Sequence, residues 1–183
     1  MQSIENIDIS ILEFIRNNIN SFFLDNVMVF ISTLGDYGII WIAAALAFLF
    51  LKKDKACGGG ILISLALSGL IGNLFLKTLI ARERPFTLSP ELELLIAPPT
   101  DYSFPSGHTL SSFAAATVMF RHNKKIGGCA YALVTAMAFS RLYLYVHYPT
   151  DILAGIILGI GIGFAAVFLW NKIKIPKNRT LLK

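Results

Sequence analysis

Two histidines, three cationic side chains and one aspartate fall in three short stretches of an otherwise strongly apolar chain. The stretches are Lys77 with Arg84-Pro85, then Pro105-Ser106-Gly107-His108, then Ser140-Arg141 followed by His147 and Asp151. One lysine and two arginines suit an anion of high charge density. Two histidines with one carboxylate suit nucleophilic and general-acid chemistry. The combination implies phosphoryl transfer. No acidic cluster of the kind that holds magnesium accompanies it, so neither a metal nor any other cofactor is expected.

Each stretch also admits a plainer account. Lys77 and Arg84 are seven residues apart, which is two turns and one face if the helix runs past Ile80. The proline after Arg84 should stop that helix. Two such cations at a helix end would equally snorkel toward lipid phosphates. Ser106 is a good N-cap, and Gly107 leaves the backbone N–H groups of the first turn open to an anion, with His108 projecting beside them. That is also what an ordinary cap with a surface histidine looks like. His147 and Asp151 lie one turn apart around Pro149, a residue suited to the first helical position. The carboxylate can fix the imidazole tautomer and free the other nitrogen to attack, or the two can form a structural pair. The functional account gains its force from all three stretches having to meet at one end of the molecule.

The elements that position them are membrane helices. Of 183 residues, 55% are hydrophobic and 15% charged, and the mean hydropathy is +0.66. Apolar residues come in blocks over 22–34, 39–51, 57–80, 106–120, 126–146 and 150–170. The expected fold is all-α: a single domain with an amphipathic interfacial helix over 1–20, a six-helix transmembrane bundle over 21–171 and a basic cytoplasmic tail over 172–183. In the first of these, Ile4, Ile7, Ile11, Leu12, Ile15 and Ile19 share helical spacing, and Asp8, Glu13, Arg16 and Asn17 take the remaining positions. The block 22–34 is short for a span, and Gly35-Asp36-Tyr37-Gly38 is expected to turn the chain back. Gly155, Gly159 and Gly163 recur every fourth residue without GxGxxG spacing, a stripe for close helix packing rather than a nucleotide loop.

Charge sets the orientation. Basic residues collect in the 52–55 and 121–125 loops and in the tail, while Lys77, Arg82, Arg84 and Arg141 share the opposite side with Glu83, Glu91, Glu93, Asp101 and Asp151. The positive-inside rule makes the first set cytoplasmic. Alternation over six blocks then leaves both termini inside and the three motif stretches outside. The N-terminus lacks a basic n-region, so no secretory leader is expected. The net charge of +5 is distributed as an orientation signal, without a nucleic-acid motif. Cys57 and Cys129 form no CxxC or zinc spacing and read as buried free thiols. His122 lies in the basic loop on the far face, and the unmatched acidic residues read as surface. Tyr143, Tyr145 and Tyr148 read as interfacial aromatics. A transporter is the rival class, but the blocks carry little central charge and no internal repeat.

The order KxxxxxxRP, PSGH, SRxxxxxHxxxD resembles that of the type 2 phosphatidic acid phosphatase (PAP2) superfamily over residues 77–151, and the block layout extends the likeness along the chain. The resemblance implies that His147 attacks phosphorus and becomes a phosphohistidine while Asp151 orients its ring. It implies that His108 protonates the leaving oxygen, and that Lys77, Arg84, Arg141, Ser106 and the Gly107 N–H hold the phosphoryl oxygens. The partners it implies are a membrane lipid phosphate and the bilayer of a bacterial cytoplasmic membrane. Among bacterial relatives the chain looks most similar to undecaprenyl-diphosphate phosphatases, with phosphatidylglycerophosphate phosphatases or a broad-specificity enzyme as the alternative. Gly107 departs from the former subgroup, whose members often carry Asp there.

Overall fold

In the computed structural model, the structure describes residues 2–52, 54–89 and 91–174, and these are helical with no strand. Helix α1 spans Gln2–Asn18 and α2 Phe22–Leu34. Helix α3 spans Ile39–Leu46 and passes into a π-helical turn, Ala47–Leu51. Helix α4, Lys55–Ser68, runs through a π-helical stretch, Gly69–Leu76, into α5, Lys77–Ile80. Three further helices follow: α6 Gly107–His122, α7 Lys124–Tyr143 and α8 Pro149–Lys174. Caps mark the starts. Ser21 Oγ accepts from the Leu24 N–H at the head of α2, Asp54 from Cys57 at α4, and Asn123 from Lys125 and Ile126 at α7.

Helix α6 is the central rod. Its side chains from Thr109 to Met119 are buried apart from Ser111, against α4, α7 and α8. The glycine stripe lets α8 lie against it. A Cβ at Gly159 would stand 2.6 Å from the Leu110 carbonyl oxygen, and one at Gly163 would stand 2.5 Å from Thr117 Cβ. On α4, a Cβ at Gly60 would press on Val118 and one at Gly59 on the Trp170 ring. Close helix packing, as expected from the sequence, is what these glycines provide.

The six-block layout needs correction. The axes of α2 and of the segment Asp36–Leu51 differ by 45°, a bend rather than a reversal. The head of α2 sits beside the end of α7, where the Tyr143 hydroxyl donates to Asp25 Oδ1 at 2.5 Å. The end of α3 sits at the opposite pole, where Phe48 stacks edge-on against His122 of α6. From 22 to 51 the chain therefore crosses the molecule once. Tyr37 and Gly38, both at positive φ (54° and 67°), redirect the helix without turning it back. Among the described residues, Lys55–Leu88 and Pro149–Ile173 are long and apolar enough to cross a membrane, and the bent pair makes a third if it is one span. The 16-residue α6 is shielded on several sides by other helices, so it can carry Ser112 and Thr117 internally.

Helix α1 lies across the pole where α7 ends and α8 begins. Leu12 packs on Tyr145 and Tyr148, and Ile15 on Tyr143, Leu144 and Val146. Its faces differ from the sequence reading in one respect: Asp8 is 1% exposed and points inward, while Ile4, Ile7, Ile11 and Phe14 face out. Of the two thiols expected to be buried, Cys57 is buried and Cys129 is exposed. The basic tail expected over 172–183 lies outside the described residues beyond Lys174.

Candidate active site

The three motif stretches meet at the pole covered by α1. Lys77 opens α5, the last turn of the long α4–α5 rod, Gly107 and His108 open α6, Arg141 lies in the last turn of α7, and His147 sits in the α7–α8 link. All of them, with Arg84, line one cavity of about 860 Å³. Lys77 and Arg84 do not meet by helical register, as the spacing suggested. The helix stops at Ile80, Ala81 turns left-handed (φ 48°), and Arg84 is extended ahead of Pro85. The two cations converge on Asp101, whose carboxylate takes Lys77 Nζ on Oδ2 and Arg84 Nη2 on Oδ1 at 2.6 Å. Arg84 Nε also donates to the Asp101 carbonyl oxygen at 2.8 Å.

His147 is buried, and its two ring nitrogens have opposite surroundings. Arg84 Nη1, which can only donate, lies 3.3 Å from Nε2. Nδ1 lies 3.4 Å from Ser103 Oγ and 3.5 Å from Asp151 Oδ2. Nε2 is thus the lone-pair nitrogen, and the proton belongs on Nδ1, facing the carboxylate. Burial pushes the His147 pKa down to about 3; the Asp151 hydrogen bond opposes this, and the positive charges of Arg84 and Arg141 reinforce it. The imidazole is neutral at neutral pH.

Asp151 is wholly buried and satisfied on both oxygens. Oδ2 accepts from Ser103 Oγ at 2.5 Å and from the Tyr148 N–H at 2.9 Å, and Oδ1 accepts from Arg82 Nη1 at 2.7 Å. Arg141 donates through Nη1 to Ser32 of α2, and its buried Nε has no partner among the described residues. His108 Nε2 lies 2.9 Å from Asp36 Oδ1, in the bend between α2 and α3. Ser106 stands behind the cavity. It is buried, its hydroxyl takes the Thr109 hydroxyl at 3.0 Å, and its N–H donates to the Asp151 carbonyl oxygen at 3.3 Å. Gly107 keeps the wall open: a Cβ there would stand 3.0 Å from Asn73 Oδ1.

Several partners escaped the sequence reading. Asp101 was taken for surface, and Asp36, Ser32, Ser103, Arg82 and Asp8 were given no role at the site. Arg82 carried one usable signal, standing two residues before Arg84 in the same short segment.

A neutral imidazole backed by a carboxylate, facing three cations and a second histidine, can take up a phosphoryl group and release its leaving oxygen. Fold and site together define a helical membrane phosphatase with a histidine–aspartate pair at its centre. The chain belongs to the PAP2 superfamily, which matches residues 58–175. It is 33% identical over 162 residues to an undecaprenyl-diphosphatase of Sulfolobus acidocaldarius, covering 87% of this chain and 77% of that one. It is 32% identical over 143 residues to the undecaprenyl-diphosphatase BcrC of Bacillus subtilis, covering 77% and 72%. The crystal structure of a transmembrane PAP2 type phosphatidylglycerolphosphate phosphatase from Bacillus subtilis matches with a TM-score of 0.79 at 25% identity, over 97% of this chain and 90% of that one. The protein is accordingly a membrane lipid phosphatase of this superfamily.

Proposed function

We propose that the chain hydrolyses undecaprenyl diphosphate to undecaprenyl phosphate through a phosphohistidine on His147, without a metal ion. The observation that carries this reading is the polarity of His147: its Nε2 lone pair faces the cation-lined cavity, and Nδ1 is backed by Asp151. Nε2 attacks the terminal phosphorus, the bond to the bridging oxygen breaks, and His108 gives its proton to that oxygen. Water then attacks the phosphohistidine, with His108 taking its proton, and inorganic phosphate leaves. Lys77, Arg84, Arg141 and the Gly107 N–H hold the equatorial oxygens where charge accumulates, and the partnerless Arg141 Nε offers a further donor. Ser106 serves through the α6 cap rather than by direct contact. Among the described residues no group of three or more His, Cys, Asp or Glu side chains is arranged to hold a metal ion.

The cavity supports an amphiphilic substrate, since it runs from Lys77 and Arg84 to Ile42, Leu62 and Leu65 on α3 and α4. The undecaprenyl-diphosphatase relatives favour a prenyl diphosphate. Gly107 and the phosphatidylglycerolphosphate phosphatase fold favour phosphatidylglycerophosphate as the second reading. The basic residues Lys52, Lys55, Arg121, Lys124, Lys125 and Lys172 gather at the pole opposite the cavity, so the catalytic pole faces away from the cytoplasm. With α2–α3 as one traverse, the body has five: α2–α3, α4–α5, α6, α7 and α8. On this reading α1 lies at the outer face and the described end of α8, at Lys174, lies inside, which differs from the expectation of two inner ends.

Phosphate release by purified protein in detergent tests the reaction. Turnover should be faster with a prenyl diphosphate than with phosphatidylglycerophosphate, should survive EDTA and should be inhibited by vanadate. Loss of activity in EDTA with recovery in magnesium would overturn the metal-free scheme. For orientation, a cysteine replacing Thr87 in a background lacking Cys57 and Cys129 should react with an impermeant maleimide on intact cells, and one replacing Asn123 should not.

A further inference from the structure

Asp151 does not face His147 alone. Its Oδ1 is held by Arg82 Nη1 at 2.7 Å, and the same guanidinium holds Asp8 Oδ2 through Nη2 at 2.9 Å. Thr150 completes the link: its hydroxyl accepts from Arg82 Nη1 at 2.7 Å and donates to Asp8 Oδ2 at 2.5 Å, and its N–H donates to Asp8 Oδ1 at 3.1 Å. The Arg82 guanidinium lies 3.8 Å from the centre of the Tyr148 ring, which fixes its plane. Asp8 and Asp151 side chains are 2% and 0% exposed, so water does little to screen these charges.

Counting charge over the three groups gives the reason for a buried aspartate on a surface helix. Arg82 and Asp151 alone sum to zero. A carboxylate neutralised in that way has little left with which to stabilise the positive imidazole of a phosphohistidine. Adding Asp8 returns the trio to a net charge of −1, and the deficit of Arg82 is met from α1 rather than from Asp151. We propose that Asp8 is a positioning residue for catalysis: by pairing with Arg82 it restores to Asp151 the negative charge that supports phosphorylated His147. This rests on the phosphohistidine reading above. It assigns to α1, which carries none of the three motifs, a part in the chemistry. The competing account is that Asp8 only docks α1 and caps the first turn of α8 through the Thr150 N–H.

Removal of the Arg82 charge by a second substitution separates the two. Asp8→Asn keeps the shape and one acceptor oxygen, but leaves Arg82 and Asp151 as a neutral pair. Asp8→Asn with Arg82→Gln removes both charges and returns the net −1 to Asp151, although it further weakens the docking of α1. The measurement is the single-turnover rate of acid-labile phosphoenzyme formation from a radiolabelled prenyl diphosphate, with the purified proteins in detergent. Asp8→Asn should slow that step on the order of tenfold with little change in KM, and the double variant should recover most of the loss. An Asp8→Asn protein as fast as wild type, or a double variant as slow as Asp8→Asn or slower, would overturn the proposal. If wild type itself forms no phosphoenzyme that depends on His147, the phosphohistidine reading fails and the role of Asp8 falls with it.

Discussion

Asp101 takes two of the site's three cations for itself, and removing its charge should make the protein bind phosphate more tightly. Burial by itself would raise the Asp101 pKa, yet the hydrogen bonds and charges of Lys77 and Arg84 overcome this and hold it at about 2, against an ordinary 3.8. That difference corresponds to about 2.4 kcal/mol of net stabilisation of the carboxylate by its cations after the cost of burial, at about 1.36 kcal/mol per pH unit. The side chain is 55% exposed, so solvent screening leaves roughly half, about 1 kcal/mol. A phosphoryl group that binds Lys77 and Arg84 must displace this interaction. Asp101→Asn removes the competitor and also the repulsion between two anions, and both effects have the same sign. Inorganic phosphate and vanadate should therefore inhibit Asp101→Asn about fivefold more tightly than wild type. Competitive inhibition constants against a prenyl diphosphate measure this directly. Unchanged or weaker inhibition would refute the reasoning and would make Asp101 the residue that aims the two cations.

The two histidines should part company on substitution: His147→Ala loses both turnover and phosphoenzyme, whereas His108→Ala accumulates an acid-labile phosphoenzyme from a prenyl diphosphate, because phosphate leaves readily but water still needs a base. A phosphoenzyme in His147→Ala, seen by acid quench, would reverse these roles. Gly163→Ala should destabilise the detergent-solubilised protein by about 1–3 kcal/mol, its new Cβ falling 2.5 Å from Thr117 Cβ and 2.7 Å from the Ala114 carbonyl oxygen. Gly161→Ala meets no atom within 4 Å and should be neutral or stabilising, so Gly163→Ala should melt below wild type and Gly161→Ala at or above it. The His147 pKa of about 3, below its ordinary 6.5, means the unfolded chain binds that proton first as pH falls. The linkage makes stability decline on acidification from about 6.5 toward 3, and His147→Gln should flatten the melting curve's pH dependence above 4, before Asp101 begins to titrate.

The motif residues were legible because the chemistry keeps them at short, fixed intervals next to helix ends. His147 and Asp151 are one turn apart, and Gly107 and His108 follow a capping serine, so local geometry sufficed to bring each set together. The residues that escaped are joined over long separations: Asp101 to Lys77 across 24 residues, Asp36 to His108 across 72 and Ser32 to Arg141 across 109. A single aspartate in a loop has no periodicity from which to infer its partner. Asp8 was misassigned for a related reason, since an acidic residue on an amphipathic helix is ordinarily solvated and only the distant Arg82 and Thr150 turn it inward. The separate blocks expected over 22–34 and 39–51 came from treating Gly35-Asp36-Tyr37-Gly38 as a reversal. Glycine and aspartate announce that a helix breaks, but the angle is set by which residues become left-handed, and here the result is a 45° bend.

The trio of Asp8, Arg82 and Asp151 also dictates the order in which the enzyme can be completed. Asp8 leaves the ribosome before Arg82, which follows 74 residues later, and Thr150 lies 142 residues beyond Asp8. Docking α1 on Arg82 closes the shorter loop. Extending the closure to Thr150 nearly doubles the enclosed length and adds only about 0.6 kcal/mol in chain entropy. The first helix can thus wait on Arg82 as a neutral pair while α6 and α7 are made, holding open the place where α8 will start. Arrival of α8 supplies Asp151, and with it the charge proposed to support His147. A nascent chain stopped short of that point holds its cations without the carboxylate proposed to back His147.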